Sequence, residues 1–317
     1  MSSSSPAIPT AVAASGMSAA ASEEFWSNFA EIAFNEQWTK DLQNKMQEFL
    51  KNNIEWLGIA HDGGSGPAAR SGSEAGGKKM LDFACGNGFL TRVYHPFFIK
   101  CVGIDVASGM IKKYNEAAIE LGLGPEKMYG VRGDILAPTP TKAGDAAATA
   151  VVGTDLSQEE FFNFDFVGIA LALHHMEDSE SIIVKLVERL KSGGTFLAID
   201  RVEPEPEPGS ESEGKKGCGC KGHHYQHHHH YQHHRHQEGG HYQGRGHNHW
   251  GAASDHLRQA AHTISHKHTK FSRQQVKDMF VRAGLTDVDV LVTDWTVELP
   301  NVPNGVNKLF FARGRKV

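Results

Sequence analysis

The feature that most constrains the fold is a regular exchange of two patterns between residues 79 and 200. Short apolar runs of strand length, Lys79 to Ala84, Lys100 to Asp105, Lys127 to Gly133, Phe164 to Ala170 and Gly194 to Asp200, alternate with segments of helical periodicity. The helical segments are Gly88 to Phe97, Ser108 to Leu121 and Ser179 to Leu190. Runs apolar on both faces suit strands buried between two helical layers, and strands joined by helical crossovers run parallel. The expectation is an α/β fold with a doubly wound, mostly parallel sheet. A helix over Ser272 to Ala283, with Ser272 as N-cap and Gly284 as its stop, precedes two more runs, Val288 to Thr293 and Lys308 to Gly314. These read as an antiparallel hairpin at the sheet edge and bring the expected strands to seven.

Around this core the chain changes character. Met1 to Ser22 is Ser/Ala-rich and reads as a disordered tail. From Glu23 to Leu57, Phe25, Phe29, Ile32, Leu42, Met46, Phe49 and Leu50 recur at helical spacing, which predicts one or two N-terminal helices with Ser22 as the first N-cap. Residues 58–78 are a Gly/Ser/Ala linker, so the regular domain is expected over 79–317. It is interrupted twice. Thr141 to Phe161 is Ala/Thr-rich and reads as an insertion before the fourth strand, and residues 203–250 open with a Pro-Glu run and continue into Cys218, Cys220 and a dense histidine tract. The second segment has no means of forming a core and is expected to be disordered. A helical stretch is expected over Asp255 to Thr263.

Charge narrows the partners. With 37 acidic and 32 basic residues the chain carries a formal charge of −5, so no overall positive field draws it to a phosphate backbone. No apolar run approaches the roughly 20 residues needed to cross a bilayer. The N-terminus lacks the basic residues of a targeting segment, and Cys85 and Cys101 lie in apolar runs and not in a disulfide framework, which together suggest the cytoplasm. Oligomeric state leaves no mark in the sequence.

The chemistry concentrates at the ends of the strands. Leu81-Asp82-Phe83-Ala84-Cys85-Gly86-Asn87-Gly88 falls where the first strand gives way to a helix, and small residues there let the backbone approach a ligand. Asp105 ends the second strand, followed by Val106 and Met110, in the place where an acid binds ribose hydroxyls. Gly133-Asp134-Ile135 ends the third. Three acids at three consecutive strand ends suit a cationic ligand. A dinucleotide-binding domain instead expects a third glycine for its pyrophosphate, and Asp82 would repel a phosphate.

The glycine turn resembles the first motif of the class I S-adenosylmethionine-dependent methyltransferases, an acid followed by small-x-Gly-x-Gly, with Ala84 where many members have the first glycine. Phe164-Asp165-Phe166-Val167 through Ala170, Leu171, Leu173-His174-His175 and Asp178 is similar to that family's "D-x-V … L-H-H-x-x-D" segment, common in its small-molecule branch. Leu190-Lys191-Ser192-Gly193-Gly194 resembles its turn into the fifth strand. The resemblance covers roughly Met80 to Asp200. It implies a Rossmann-like fold and S-adenosylmethionine as cofactor, with S-adenosylhomocysteine as product. It places the cofactor at Asp82, Ala84, Cys85, Gly86, Gly88, Asp105, Val106, Met110, Gly133, Asp134, Ile135, Ala170 and Leu171.

The acceptor is expected to be a small molecule methylated on oxygen, nitrogen, sulfur or activated carbon. No Asn/Asp-Pro-Pro-Tyr follows the fourth strand for a planar amino group, and no Pro-Cys nucleophile is there for a pyrimidine. His174 and His175 are candidate bases; alternatively His174 packs beneath the cofactor and His175 caps the next helix. Trp26 and Trp38 from the N-terminal helices, and His266 and His268 from a lid-like run, are candidate acceptor-binding residues, although an aromatic stripe also serves as plain core. The histidine tract has metal-binding side chains in irregular spacing, so no required metal is expected. Two other readings remain open: a Rossmann-type NAD(P)-dependent oxidoreductase, and a metal-binding protein built around the histidine tract.

Overall fold

The computed structural model describes residues 19–59, 77–136, 153–204, 270–298 and 306–317. Two helices open it, α1 (Ala19–Ala33) and α2 (Gln37–Asn52), with a single turn α3 (Ile54–Leu57). Then β1 (Lys79–Phe83), α4 (Phe89–Tyr94), β2 (Lys100–Asp105), α5 (Ser108–Glu120), β3 (Met128–Arg132), β4 (Phe164–Ala170), α6 (Ser179–Glu188) and β5 (Leu190–Val202) alternate as the apolar pattern predicts. The described chain closes with α7 (Arg273–Arg282), β6 (Leu285–Val292), the two-residue β7 (Val297–Glu298) and β8 (Val306–Lys316).

The strands lie in the order β3-β2-β1-β4-β5-β8-β6, with β7 paired to β8 beside this path. Five strands, β3 to β5, are mutually parallel. β8 runs antiparallel between β5 and β6, so the expected hairpin partners do pair, with β8 on the inner side.

Alternation along each strand feeds two core halves. Leu81, Phe83, Phe196 and Ala198 face Ile182, Ile183 and Leu186 of α6 and Val276 and Phe280 of α7. Met80, Leu197 and Ile199 face Leu42, Met46 and Leu50 of α2, Leu90 and Val93 of α4 and Tyr114 of α5. Each fully buried large aliphatic or aromatic side chain contributes about 1.5–3 kcal/mol, so both layers are needed to hold the sheet.

Two local expectations are corrected. Ser22 does not cap the first helix: α1 begins at Ala19 and carries Ser22 inside it. His175 does not cap α6, because Asp178 does, its carboxylate accepting from Ser181 N at 3.0 Å. Within the expected insertion Thr141 to Phe161, the described residues from 153 on are tied to the sheet. Thr154 N donates to Arg132 O at 2.7 Å, Leu156 and Phe161 are buried in the sheet's first core half, and Arg189 donates to both of their carbonyls. Ser272 does cap α7, accepting from Gln275 N at 3.1 Å, and Gly284 follows in the left-handed region at φ +84°. The histidine tract, Cys218, Cys220, the expected helix over Asp255 to Thr263, His266 and His268 lie outside the described residues.

Candidate functional site

The sheet order reverses at β1, whose neighbours are β2 on one side and β4 on the other. Ligands in such sheets bind outside the carboxyl ends of the strands at this point. The turn leaving β1 there is sharply bent, with Ala84, Gly86 and Gly88 in the left-handed region at φ +51°, +50° and +75°. At the corresponding end of β4, Leu171 has φ +53°. Alanine and leucine adopt that conformation at a cost of roughly 1–2 kcal/mol each, and such residues cluster where a backbone is shaped for a ligand.

The two acids of β1 and β2 have different tasks. Asp82 lies beneath the turn, its Oδ2 accepting from Thr91 N at 3.1 Å and Thr91 Oγ1 at 2.9 Å, with Thr91 Oγ1 in turn 2.9 Å from the Tyr114 hydroxyl. It ties the start of α4 to β1. Burial pushes its carboxyl up to about 7, against the lowering effect of the Thr91 bonds. Asp105 faces the turn itself: Oδ2 accepts from Gly86 N at 3.2 Å and Oδ1 from Ala107 N at 3.1 Å. Burial raises it to about 6.

The other expected cofactor residues line the same pole. Cys85 is buried and its N donates to Ile104 O at 3.2 Å, while Gly88 N closes the turn onto Cys85 O at 2.7 Å. Val106 O accepts from Arg132 Nε at 3.1 Å. Gly133 N donates to Asp105 O at 2.9 Å, and Leu156 leaves no room for a side chain there, since a Cβ would come within 2.9 Å of its Cδ1. Asp134 closes its own turn through Leu136 N at 2.9 Å, Ile135 is buried, and Ala170 and Leu171 pack on the second core half.

α1 and α2 cover this pole. The Glu23 carboxylate accepts from Ser108 Oγ at 2.6 Å and Ser108 N at 3.3 Å, and Ser27 Oγ accepts from Gly109 N at 3.0 Å, so α1 satisfies the first amide groups of α5. These bonds, those from Ser108 above all, hold the Glu23 carboxyl below its ordinary range. Met110 is buried against Ala30 and Ala107, with Trp26, Phe29 and Phe34 packed around them. Phe34 closes over the turn: a Cβ on Gly86 would lie 3.3 Å from its ring. From α2, Gln43 exchanges amide hydrogen bonds of 3.2 and 3.3 Å with Asn87, and Trp38 packs on the second core half.

The histidines join these layers. His174 Nδ1 lies 2.8 Å from Asp200 Oδ1, and His174 N donates to Asp200 Oδ2 at 3.1 Å. The His174 and His175 ring centroids are 3.8 Å apart, and Trp26 meets His175 edge-on at 4.7 Å. Asp200, Glu23, Phe34 and Gln43 were not among the residues expected here. Asp200 alone carries a sequence signal, as the acid that closes the apolar run Gly194 to Asp200.

A methyltransferase-domain family model matches residues 81–198. An uncharacterised methyltransferase of Schizosaccharomyces pombe is 28% identical over 40% of this chain and 40% of its own length. One from Bacillus subtilis is 23% identical over 40% and 42%. The matched region thus spans about two fifths of these curated relatives. A Thermotoga maritima structure described as an S-adenosylmethionine-dependent methyltransferase, possibly a histamine N-methyltransferase, is 12% identical, covers 92% of this chain and all of that one, and has a TM-score of 0.45. No helix among the described residues is long and apolar enough to cross a membrane. The glycine turn and the acids at the ends of β1 and β2 thus lie within the stretch, residues 81–198, that matches the methyltransferase-domain family.

Proposed function

We propose that this protein transfers a methyl group from S-adenosylmethionine to a small-molecule acceptor in the cytoplasm, at the carboxyl ends of β1, β2 and β4. The observation that carries the reading is Asp105. Its carboxylate is held by backbone N–H groups, Oδ2 by Gly86 and Oδ1 by Ala107, in a position beside the strained turn that suits acceptance from ribose hydroxyls. The donor set also fits a sulfonium: two buried carboxyls, raised to about 7 and about 6 by burial, gain from a nearby positive charge.

When bound, the cofactor supplies an electrophilic methyl group on sulfur, so the chain's main task is orientation. Gly86 and Gly88 shape the turn, Asp105 with Val106 and Met110 holds the nucleoside side, and Ala170 and Leu171 form the opposite wall. Phe34 and Trp26 exclude water from above. For an acceptor that must lose a proton, His174 is the base: the Asp200 carboxylate accepts from Nδ1, so Nε2 is left to take the proton. His175, between His174 and Trp26, and Trp38 contribute to the acceptor side, with His266 and His268 assigned there by sequence alone.

Isothermal titration of the full chain with S-adenosylmethionine, S-adenosylhomocysteine and NADH tests this. Micromolar binding of the first two, and none of NADH, is the expected result. A folded protein that binds NADH alone, or no nucleoside at all, removes the reading.

A further inference from the structure

Arg201 stands where the sheet calls for an apolar side chain. Along β5, Phe196, Ala198 and Val202 pack into the core half under α6 and α7, and Leu197 and Ile199 into the half under α2, α4 and α5. Alternation puts Arg201 on the second side, one step beyond Ile199, at the carboxyl end of the strand. It is only 7% exposed. Among the described residues its Nε has no hydrogen-bond partner, and the charge that reaches it is that of Asp200, whose oxygens already serve His174 and the Arg201 backbone amide. Arg189 and Arg313 also have a buried Nε without a partner, but their guanidinium groups are engaged elsewhere, Arg189 on Phe161 O at 3.3 Å and Arg313 on Asp287 at 3.2 Å. Among the described residues Arg201 has no such substitute.

A second orphan shares its face and pole. Thr39 of α2 is 7% exposed and its Oγ1 has no partner. The Gln43–Asn87 exchange sets the first half of α2 beside the glycine turn, whereas Leu57, beyond its far end, accepts from Thr195, which pairs with Phe166 near the start of β4. Thr39 therefore lies at the carboxyl pole, on the α2 side of the sheet, as Arg201 does. Trp38 and Trp295 pack on that same core half. A buried guanidinium Nε and a buried hydroxyl without partners cost stability unless something completes them, and a guanidinium fork is shaped for a planar or tetrahedral oxyanion.

We propose that Arg201, assisted by the Thr39 hydroxyl, receives an oxyanion carried by the acceptor, so that the acceptors are small carboxylates or phosphate esters. The inference rests on the methyltransferase reading, which it deepens by naming the substrate class. The acceptor's anionic group lodges between α2 and the end of β5, and its nucleophilic atom projects toward the strand ends where His174 and Leu171 lie.

The test uses the full chain saturated with S-adenosylhomocysteine, as wild type, R201M and R201K, with melting followed against benzoate, inorganic phosphate or chloride at matched ionic strength. The wild type is expected to be stabilised saturably by benzoate, phosphate or both, and not by chloride. R201M is expected to lose about tenfold or more in apparent affinity while melting no lower than wild type without oxyanion, because an unpaired buried charge has been removed, and R201K to fall between. A response to benzoate alone names carboxylates, and one to phosphate alone names phosphate esters. No saturable response of the wild type, an equal response of R201M, or R201M melting well below wild type without oxyanion overturns the proposal. The methyltransferase reading stands or falls separately, on whether S-adenosylhomocysteine binds, and the anion responses are read either way.

Discussion

His174 and Asp200 are 26 residues apart in the chain and 2.8 Å apart in space, between ring Nδ1 and carboxylate Oδ1. They meet because Ala170 at the end of β4 pairs with Ile199 in the parallel strand β5, which sets the turn after one strand beside the next residue of the other. Asp200 is fully buried, and it holds the backbone and the ring of His174 with separate oxygens. In D200N the amide NH2 can donate to Nδ1, so the hydrogen moves to Nε2. Nitrogen-resolved NMR of the imidazole is expected to show the Nδ1–H tautomer in the wild type and the Nε2–H tautomer in the variant. Methylation of a proton-bearing acceptor should fall by about 100-fold or more. The same tautomer in both proteins would take Asp200 out of the mechanism.

Asp82 makes stability depend on pH in an unusual direction. Its carboxyl titrates near 7 in the folded protein against 3.8 when unperturbed, so the folded state holds the proton more tightly. The favourable contribution is full below the unfolded value and is lost as pH rises through the folded one. By linkage the loss is about 4 kcal/mol between these limits. D82N keeps an oxygen for both Thr91 bonds and has no charge to bury. Urea midpoints from pH 4 to 8 are expected to fall more steeply in the wild type than in D82N; parallel curves would contradict the assignment.

Gly109 lets α1 dock. A Cβ there would sit 2.6 Å from Ser27 Cα and 2.7 Å from Ser27 O, both backbone, so neither can swing aside. In G109A the residue itself favours helix α5 by about 1 kcal/mol, but overpacking against α1 costs about 1–3 kcal/mol. Hydrogen exchange should therefore rise across α1 and at the Ser108 and Gly109 amides, and remain slow in α5 beyond them. Unchanged protection of α1 would show that the contact is not needed.

The proposed function gives Asp105 the task of bonding the cofactor and Phe34 that of covering it. D105A removes the acceptors proposed for the ribose and should weaken S-adenosylhomocysteine binding by about 2 kcal/mol or more, a charge-assisted bond being worth roughly that much. F34A uncovers Gly86 and should speed dissociation without abolishing association. Stopped-flow binding separates the two effects, and equal rates in F34A and wild type would remove Phe34 from the lid.

Much of this was legible in the chain because it is local. The five parallel strands, the glycine turn, Asp105 at a strand end and the Ser272 cap each follow from a few adjacent residues. What stayed hidden depends on partners far away in sequence. Glu23 serves an amide 85 residues on, Phe34 is known as a cover only once α1 is folded back, and Asp200 reads as a strand end until β4 lies beside it. Ser22 misled because a good capping residue ahead of two glutamates is no guarantee that the preceding alanines leave the helix. Arg201 had a visible signal, a charge in step with Leu197 and Ile199, whose meaning needed the burial of both sheet faces.

The place of β8 bears on how the molecule is made. Thr195 pairs with Arg315 and Val202 with Lys308, so the outer edge of β5, beside the Asp200 that orients His174, is closed by a strand more than a hundred residues downstream. A ribosome delivering this chain presents that edge, with its unpaired amides and carbonyls, to the cell for the whole of the intervening synthesis. The half of the sheet that holds Asp200 thus stays open-edged through that interval, when pairing with another chain competes with its own closure.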